Sequence, residues 1–338
     1  MGKKYDVTAL GELLIDFTSS GLSEQGNPLF EANPGGAPCN VLAMLNRLGK
    51  KTNFIGKVGE DQFGKTLKST LEELGIGTEN LLLDPKVHTT LALVHTFEDG
   101  DRDFSFYRKP GADMMLEASE VQESQIAESR IFHFGTLSLT DEPVRSATIQ
   151  ALEYAGKHGV TVTFDPNLRP PLWDSLEEAK EQIWFGLSKC SAVKMSEEEL
   201  EFITGETDLD KGVEAVRARY DIPLICITMG KGGSRAYYRQ LAVSCPGFIQ
   251  KNTIETTGAG DTFCAGMLNF ILDHGFADFT EENLKEMLTF ANAAASIVTT
   301  RKGALRVMPE REEVEALIAS RRGEWVYEKI AESDHSSR

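Results

Sequence analysis

The chain of 338 residues carries 35 Lys and Arg against 52 Asp and Glu, a formal net charge of −17, with 41% hydrophobic and 26% charged residues. These are globular proportions for one large or two smaller domains, and 30 Gly with 12 Pro exclude a collagen-like or low-complexity chain. The acidity argues against nucleic acid and against an anionic membrane surface as partners, because both call for clustered Lys and Arg. It leaves room for a small anion, whose local field is set by backbone dipoles and metals.

In chain order, Val7–Leu10, Asn53–Val58, Ile131–Phe134, Val160–Phe164, Ala192–Lys194 and Leu224–Thr228 read as strands. Helical stripes lie between them. In 37–48 the stripe is Val41, Leu42, Leu45 and Leu48, closed by Gly49; in 61–74 it is Phe63, Leu67, Leu71 and Leu74, closed by Gly75. Segments 141–157, 177–188 and 209–219 repeat the pattern, and the last third is helical over 259–273, 281–300 and 310–320. This alternation predicts an α/β fold: a parallel sheet sandwiched by helices on both faces. Two stretches, 12–34 and 87–115, are strand-like without helices, with Glu98-Asp99-Gly100-Asp101 as a hairpin turn. They are expected to form a small antiparallel β-sheet lid over a core of residues 1–11, 35–86 and 116–325, followed by a polar tail over 326–338. The exposed edges of so small a sheet suit pairing of two lids in a homodimer.

Five scattered cysteines without a CxxC fit a reducing compartment. No signal-like apolar stretch opens the chain, and no run approaches the ~18 apolar residues of a membrane span. The expectation is a cytoplasmic protein.

Gly59-Glu60-Asp61-Gln62-Phe63-Gly64-Lys65-Thr66 fits the phosphate-loop pattern GxxxxGK[ST]. Its two acidic residues would repel the phosphates such a loop cradles, and Phe63 belongs to the helical stripe. Asp61 reads instead as the N-cap of the following helix. The chemistry is expected at Glu255-Thr256-Thr257-Gly258-Ala259-Gly260-Asp261-Thr262-Phe263. Small residues at a helix start leave N–H groups open to an anion, aided by the helix dipole, and Asp261 sits beside them. A cradle for charge and a base for a hydroxyl are what phosphoryl transfer requires.

With Gly35-Gly36-Ala37-Pro38-Cys39-Asn40 opening another helix, this stretch resembles the paired signatures of the ribokinase-like (PfkB) carbohydrate kinases, and the similarity runs over residues 5–320. The resemblance implies a ribokinase-like, Rossmann-type α/β domain with a β-sheet lid, acting as an ATP-dependent sugar kinase with Mg2+. In it Asp261 matches the base, Gly258, Ala259 and Gly260 the anion hole, and Asp16, Gly35, Gly36 and Asn40 the sugar contacts. Thr228-Met229-Gly230-Lys231-Gly232-Gly233 resembles the nucleotide-binding turn, with Thr228, Gly230 and Gly233 as contacts, and Asn292 an adenine-side position. Lys194-Met195-Ser196-Glu197-Glu198-Glu199 matches the family's Asn-x-x-Glu element with Ser196 in place of Asn: Lys194 and Ser196 would face the nucleotide, and Glu199 would act on Mg2+ through water, unless it is simply a solvated helix start. Glu255 stands where the family usually has Asp, in a K+ site completed by Thr257, Val298, Arg301 and Gly303.

Asp165-Pro166-Asn167-Leu168-Arg169-Pro170-Pro171-Leu172-Trp173 resembles a segment of fructokinases and of 2-keto-3-deoxygluconate kinases, with Arg169 facing the substrate or the moving phosphate. Phe106-Tyr107-Arg108 resembles the fructokinase lid strand and adds Phe106 and Arg108 as sugar contacts. Phosphorylation of fructose at its 6-hydroxyl is the first expectation and 2-keto-3-deoxygluconate the second. A non-catalytic relative would be expected to have lost Gly258, Gly260 or Asp261.

Overall fold

The structure, a computed structural model, describes residues 2–96 and 102–321. Nine strands form the main sheet, in the order β13 (Leu241–Cys245), β12 (Ser234–Tyr238), β11 (Leu224–Thr228), β10 (Ala192–Ser196), β9 (Thr161–Asp165), β8 (Ser129–Gly135), β1 (Tyr5–Leu10), β4 (Thr52–Gly59), β5 (Gly77–Asp84). From β5 to β11 every neighbouring pair is parallel; β12 and β13 add an antiparallel hairpin at one edge. All six strands expected from the sequence are present, each within two residues of its expected ends.

The strands are apolar because the sheet is covered on both faces. Alternation along them sends Val7, Ala9 and Ile131 into one core, and Leu10, Phe132 and Phe134 into the other. The first core is closed by α1 (Ala37–Arg47), α2 (Gln62–Glu73), α8 (Ala259–His274), α9 (Glu281–Val298) and α10 (Arg311–Ser320). The second is closed by α3 (Glu123–Ala127), α4 (Val144–Lys157), α5 (Leu176–Leu187), α6 (Glu197–Thr204) and α7 (Leu209–Arg217).

A separate four-stranded sheet has the order β3 (Pro28–Gly35), β2 (Leu14–Leu22), β6 (Leu91–Thr96), β7 (Arg102–Tyr107). Its two outer pairs are antiparallel and its middle pair, β2 with β6, is parallel, so the two excursions of the chain are joined by one ladder. The hairpin turn expected at 98–101 and the polar tail expected at 326–338 lie outside the described residues.

The phosphate-loop look-alike is a structural turn. Asp61 caps α2, with its Oδ1 accepting from Gly64 N at 2.8 Å and its Oδ2 from Thr89 N at 2.8 Å. A Cβ on Gly64 would collide with the Gly59 carbonyl, so the glycines serve close packing rather than an anion. Lys65 is exposed on the surface of α2. Asp61→Ala is therefore expected to cost about 1 kcal/mol of stability in denaturant unfolding, while Lys65→Ala leaves nucleotide affinity unchanged in a titration.

Candidate active site

The carboxyl ends of the parallel strands gather the chemistry, as open α/β sheets do. Register places Gly135 beside Asp165 and Ser196 beside Thr228. Against these ends stand two helix N-termini, those of α1 and α8.

α8 begins at Ala259, with Gly258 at its N-cap in the left-handed region, φ +75°, where a side chain would be strained. No side chain caps it, in contrast to α2, so its open end faces the cavity. The Ala259 N–H bonds the Thr256 carbonyl at 3.2 Å, the turn that leads into α8. Asp261, in the first turn, is 8% exposed. Burial raises its pKa, opposed by a hydrogen bond from Asn40 and by the charges of Lys194 and Arg169.

α1 starts after Gly35 and Gly36. A Cβ on Gly35 would strike the Asp16 carboxylate, and one on Gly36, at φ +134°, would strike the Glu12 carbonyl. The two glycines thus let the end of β3 press onto β2 and onto the segment just before it. One turn into α1, Asn40 Nδ2 donates to Asp261 Oδ2 at 2.8 Å. Asn40 Oδ1 is buried without a hydrogen-bond partner among the described residues, a state that normally calls for a donor from a ligand or water.

Between the helix ends lies a cavity of about 390 Å³ lined by residues that include Asp16, Gly36, Asn40, Phe106, Arg169, Thr257, Gly258, Gly260 and Asp261. The sequence expectation therefore converges on one space for most of the sugar and anion-hole candidates. Arg108 is a correction. It is 3% exposed and does not line this cavity: Nε donates to Asp113 at 2.7 Å, Nη1 to Thr140 Oγ1 at 2.9 Å and Nη2 to the Leu137 carbonyl at 2.8 Å. Its fork ties the segment after β7 to the loop that follows β8.

Lys194 lies behind the first turn of α8, near enough to Gly260 that a Cβ there would come within 3.1 Å of Nζ. Its Nζ donates to Asp165 at 3.1 and 3.2 Å. Burial works against the ammonium, but the charges of Asp165, Glu199 and Asp261 hold its pKa above the ordinary value. Burial pushes Asp165 up to about 7 despite Lys194, with Glu199 and Asp261 adding to the rise.

Glu199 is not a solvated helix start. It is 9% exposed, its Oε2 accepts Ser196 N at 2.8 Å in a capping box, and its Oε1 accepts Leu168 N at 2.8 Å. It thereby tethers the segment carrying Asn167, at φ +46°, and Arg169. Thr228, Gly230 and Gly233 form the turn after β11, and Gly233, at φ +99°, packs against the Cys245 carbonyl. Asn292 is buried and donates to the carbonyls of Cys245 and Pro246, both at 3.2 Å. Glu255 Oε1 accepts Gly303 N at 2.7 Å, and the Arg301 N–H bonds the Val298 carbonyl at 3.0 Å, so these four residues and Thr257 gather beside the start of α8. No cluster of three His, Cys, Asp or Glu able to hold a metal occurs among the described residues, so a cation here would depend on carbonyls, water and phosphate.

Sequence reasoning gave no role to Glu12, Asp165 or Asn167, which all stand at the cavity or the cleft behind it. Glu12 and Asp165 carry a signal: each is an acid at the end of a buried apolar strand, a position that demands a partner.

A carboxylate in the first turn of an uncapped helix, inside a polar cavity beside a second sheet, suits transfer of a phosphoryl group to a small hydroxyl compound. The pfkB family carbohydrate kinase model matches residues 4–311, and the chain belongs to that family. It is 40% identical over 319 residues to a probable fructokinase-4 of Arabidopsis thaliana, covering 94% of this chain and 98% of that one. Among solved structures it resembles a fructokinase with bound ATP from Xylella fastidiosa, at TM-score 0.85 and 31% identity over 94% of this chain and 98% of the other. It also resembles a double mutant of a Vibrio cholerae O395 fructokinase with fructose, ADP and potassium bound, at TM-score 0.84 and 30% identity over 94% and 99%.

Proposed function

We propose that this carbohydrate kinase transfers the γ-phosphate of ATP to the 6-hydroxyl of fructose. The observation that carries the reading is Asp261: a buried carboxylate, aligned by Asn40, at the open N-terminus of α8 in a sugar-sized cavity. Fructose lies against Asp16, Asn40 and Phe106, and its hydroxyls supply the donor that Asn40 Oδ1 lacks. Asp261 takes the proton of the 6-hydroxyl as that oxygen bonds to the γ-phosphorus. The bond from the γ-phosphorus to the β–γ bridging oxygen breaks, and ADP leaves with that oxygen. The amides around Gly258 and Gly260, with Lys194 behind them and Arg169 across the cavity, hold the charge on the equatorial oxygens.

ATP lies along the turn at Thr228, Gly230 and Gly233 towards Asn292. Mg2+, when bound, would supply positive charge that offsets the phosphates. Glu199 is placed to act on it through water rather than directly, because both of its oxygens already accept backbone N–H groups. The group of Glu255, Thr257, Val298, Arg301 and Gly303 is proposed to hold K+, with Glu255 fixing Gly303 rather than offering both oxygens.

A sugar acid is the second reading, favoured by Arg169 in the cavity wall. Three carboxylates, Glu12, Asp16 and Asp261, line the same wall, and Arg108 is neutralised by Asp113. That balance repels an anionic substrate and selects a neutral one. A coupled ADP-release assay across fructose, 2-keto-3-deoxygluconate, ribose and adenosine tests this. Fructose is expected to give the highest kcat/KM, and a preference for the keto acid would overturn the reading.

The five cysteines are free and buried, which supports a reducing, cytoplasmic setting. No helix among the described residues is long and apolar enough to cross a membrane. Exposed Leu22, Leu29, Phe30 and Tyr107 on the small sheet support its roles as a lid and as a pairing surface for a second copy.

A further inference from the structure

Glu12 lies where the chain leaves the core for the small sheet, between β1 and β2. Its Oε1 accepts the N–H of Ala37, the first residue of α1, at 2.8 Å. Ala37 is where the chain re-enters the core from β3, so this one carboxylate joins the outgoing and returning crossings. The N-cap position of α1 is Gly36, which has no side chain to cap it. Glu12 supplies from across the fold what Asp or Ser supplies locally at other helix starts. Its side chain is 4% exposed and lines both the cavity and the narrow cleft behind it, where His133, Asp165 and Asp261 also stand. Three residues beyond Ala37, Asn40 makes its bond to Asp261.

We propose that Glu12 is a positioning residue for phosphoryl transfer, a carboxylate that caps α1 from the lid crossing and so holds Asn40 in register with Asp261. This rests on the reading of Asp261 as the base that deprotonates the sugar.

The capping is sensitive to protonation. Burial raises Glu12 to about 7, with its own N–H and that of Ala37 pulling down, Asp113 raising it and Arg108 lowering it. The charged and titratable groups that face this region are Asp113 and Arg108 from the segment after β7, Asp16 on β2, Cys39 on α1, His133 on β8, Asp165 on β9 and Asp261 on α8. His133 is pushed down to about 3 by burial and by Lys194, so it stays neutral through the working range. Cys39 is driven well above its ordinary value by burial and stays a thiol. Asp165 also titrates near neutrality, so the wild-type acid limb contains more than one group. Above its pKa Glu12 offers Ala37 a charge-assisted acceptor; below it, a weaker neutral one.

The test compares wild type, Glu12→Ala, Glu12→Gln and Asp261→Asn in the ADP-release assay with fructose, from about pH 5.5 to 8.5. Glu12→Ala is expected to lower kcat by about tenfold to a hundredfold with KM for ATP unchanged. Glu12→Gln keeps a weaker, neutral acceptor for Ala37, so it is expected to recover only part of kcat, with a plateau below wild type, and to flatten the fall in activity on the acid side. A Glu12→Ala protein with wild-type kcat and only a lower Tm would overturn the proposal. So would a Glu12→Gln profile superimposable on wild type, a result that holds even where the alanine variant does not fold. A wild type that releases no ADP with fructose overturns the reading beneath it, whereas an active wild type with a superimposable Glu12→Gln profile overturns this inference alone.

Discussion

Asp261→Asn is expected to lower kcat with fructose by roughly 10²- to 10⁴-fold, the usual span of general base catalysis, while ATP affinity stays nearly unchanged. Asparagine matches the size of the side chain and keeps an oxygen for the bond from Asn40 Nδ2, so the cavity is preserved. What is lost is the capacity to take a proton. Removing a buried negative charge from the start of a helix also lowers repulsion towards an incoming phosphate, which is why nucleotide binding does not suffer. Single-turnover rates together with a nucleotide titration check both halves, and a loss of only a few-fold in turnover would remove Asp261 from the base role. Because burial raises the pKa of this carboxyl, wild-type turnover is expected to rise with pH through that raised value, and the acid limb to vanish with the variant's activity.

Lys194→Met is expected to destabilise the fold by about 3–5 kcal/mol at pH 8, the cost of stripping one partner from a buried ion pair. The side chains of Lys194 and Asp165 are 7% and 4% exposed, and Glu199 and Asp261 face the same ammonium. Without it, three acids share one dry space. The pH sign follows from Asp165. Its folded pKa lies above its unfolded value, so the folded state binds the extra proton, and this stability is present at low pH and lost as pH rises through about 7. The deficit of Lys194→Met is therefore smaller at pH 5 than at pH 8. Adding Asp165→Asn to it is expected to recover much of the loss. Denaturant midpoints at the two pH values check this, and a single variant as stable as wild type at pH 8 would show that the pair carries no such strain.

The sequence made the site's backbone legible because that backbone depends on residue types with few substitutes. Gly35, Gly36, Gly258 and Gly260 mark places where chain meets chain or ligand, and Asp261 stands out because an acid after a Gly-Ala-Gly turn is not an ordinary N-cap. The side-chain partnerships were less visible. Arg108 reads as a sugar contact from its strand, but its carboxylate partner Asp113 lies beyond a turn, and only the fold shows that they face each other. Lys194 and Asp165 meet across neighbouring strands, and hydrophobic periodicity records which face is buried, not which charge neutralises which. The edge hairpin of β12 and β13 was missed for a local reason. Its turn runs through Arg239, at φ +50°, with neither the Asn nor the Gly that usually announces such a turn. Strand β5 escaped because only three of its residues, Leu81 to Leu83, are apolar, after the polar Thr78, Glu79 and Asn80.

The order of strands also governs how the protein comes into being. β1 sits inside the main sheet and takes its second neighbour from β8, so the earliest-made strand waits unpaired on one side until residues 129–135 emerge. The bond from Asn40 to Asp261 spans 221 positions. Such distant pairings are slow to close and leave apolar edges open during synthesis. A nascent chain therefore exposes Asn40 long before Asp261 arrives to accept its bond, and the cavity between α1 and α8 closes only when nearly the whole chain has been made.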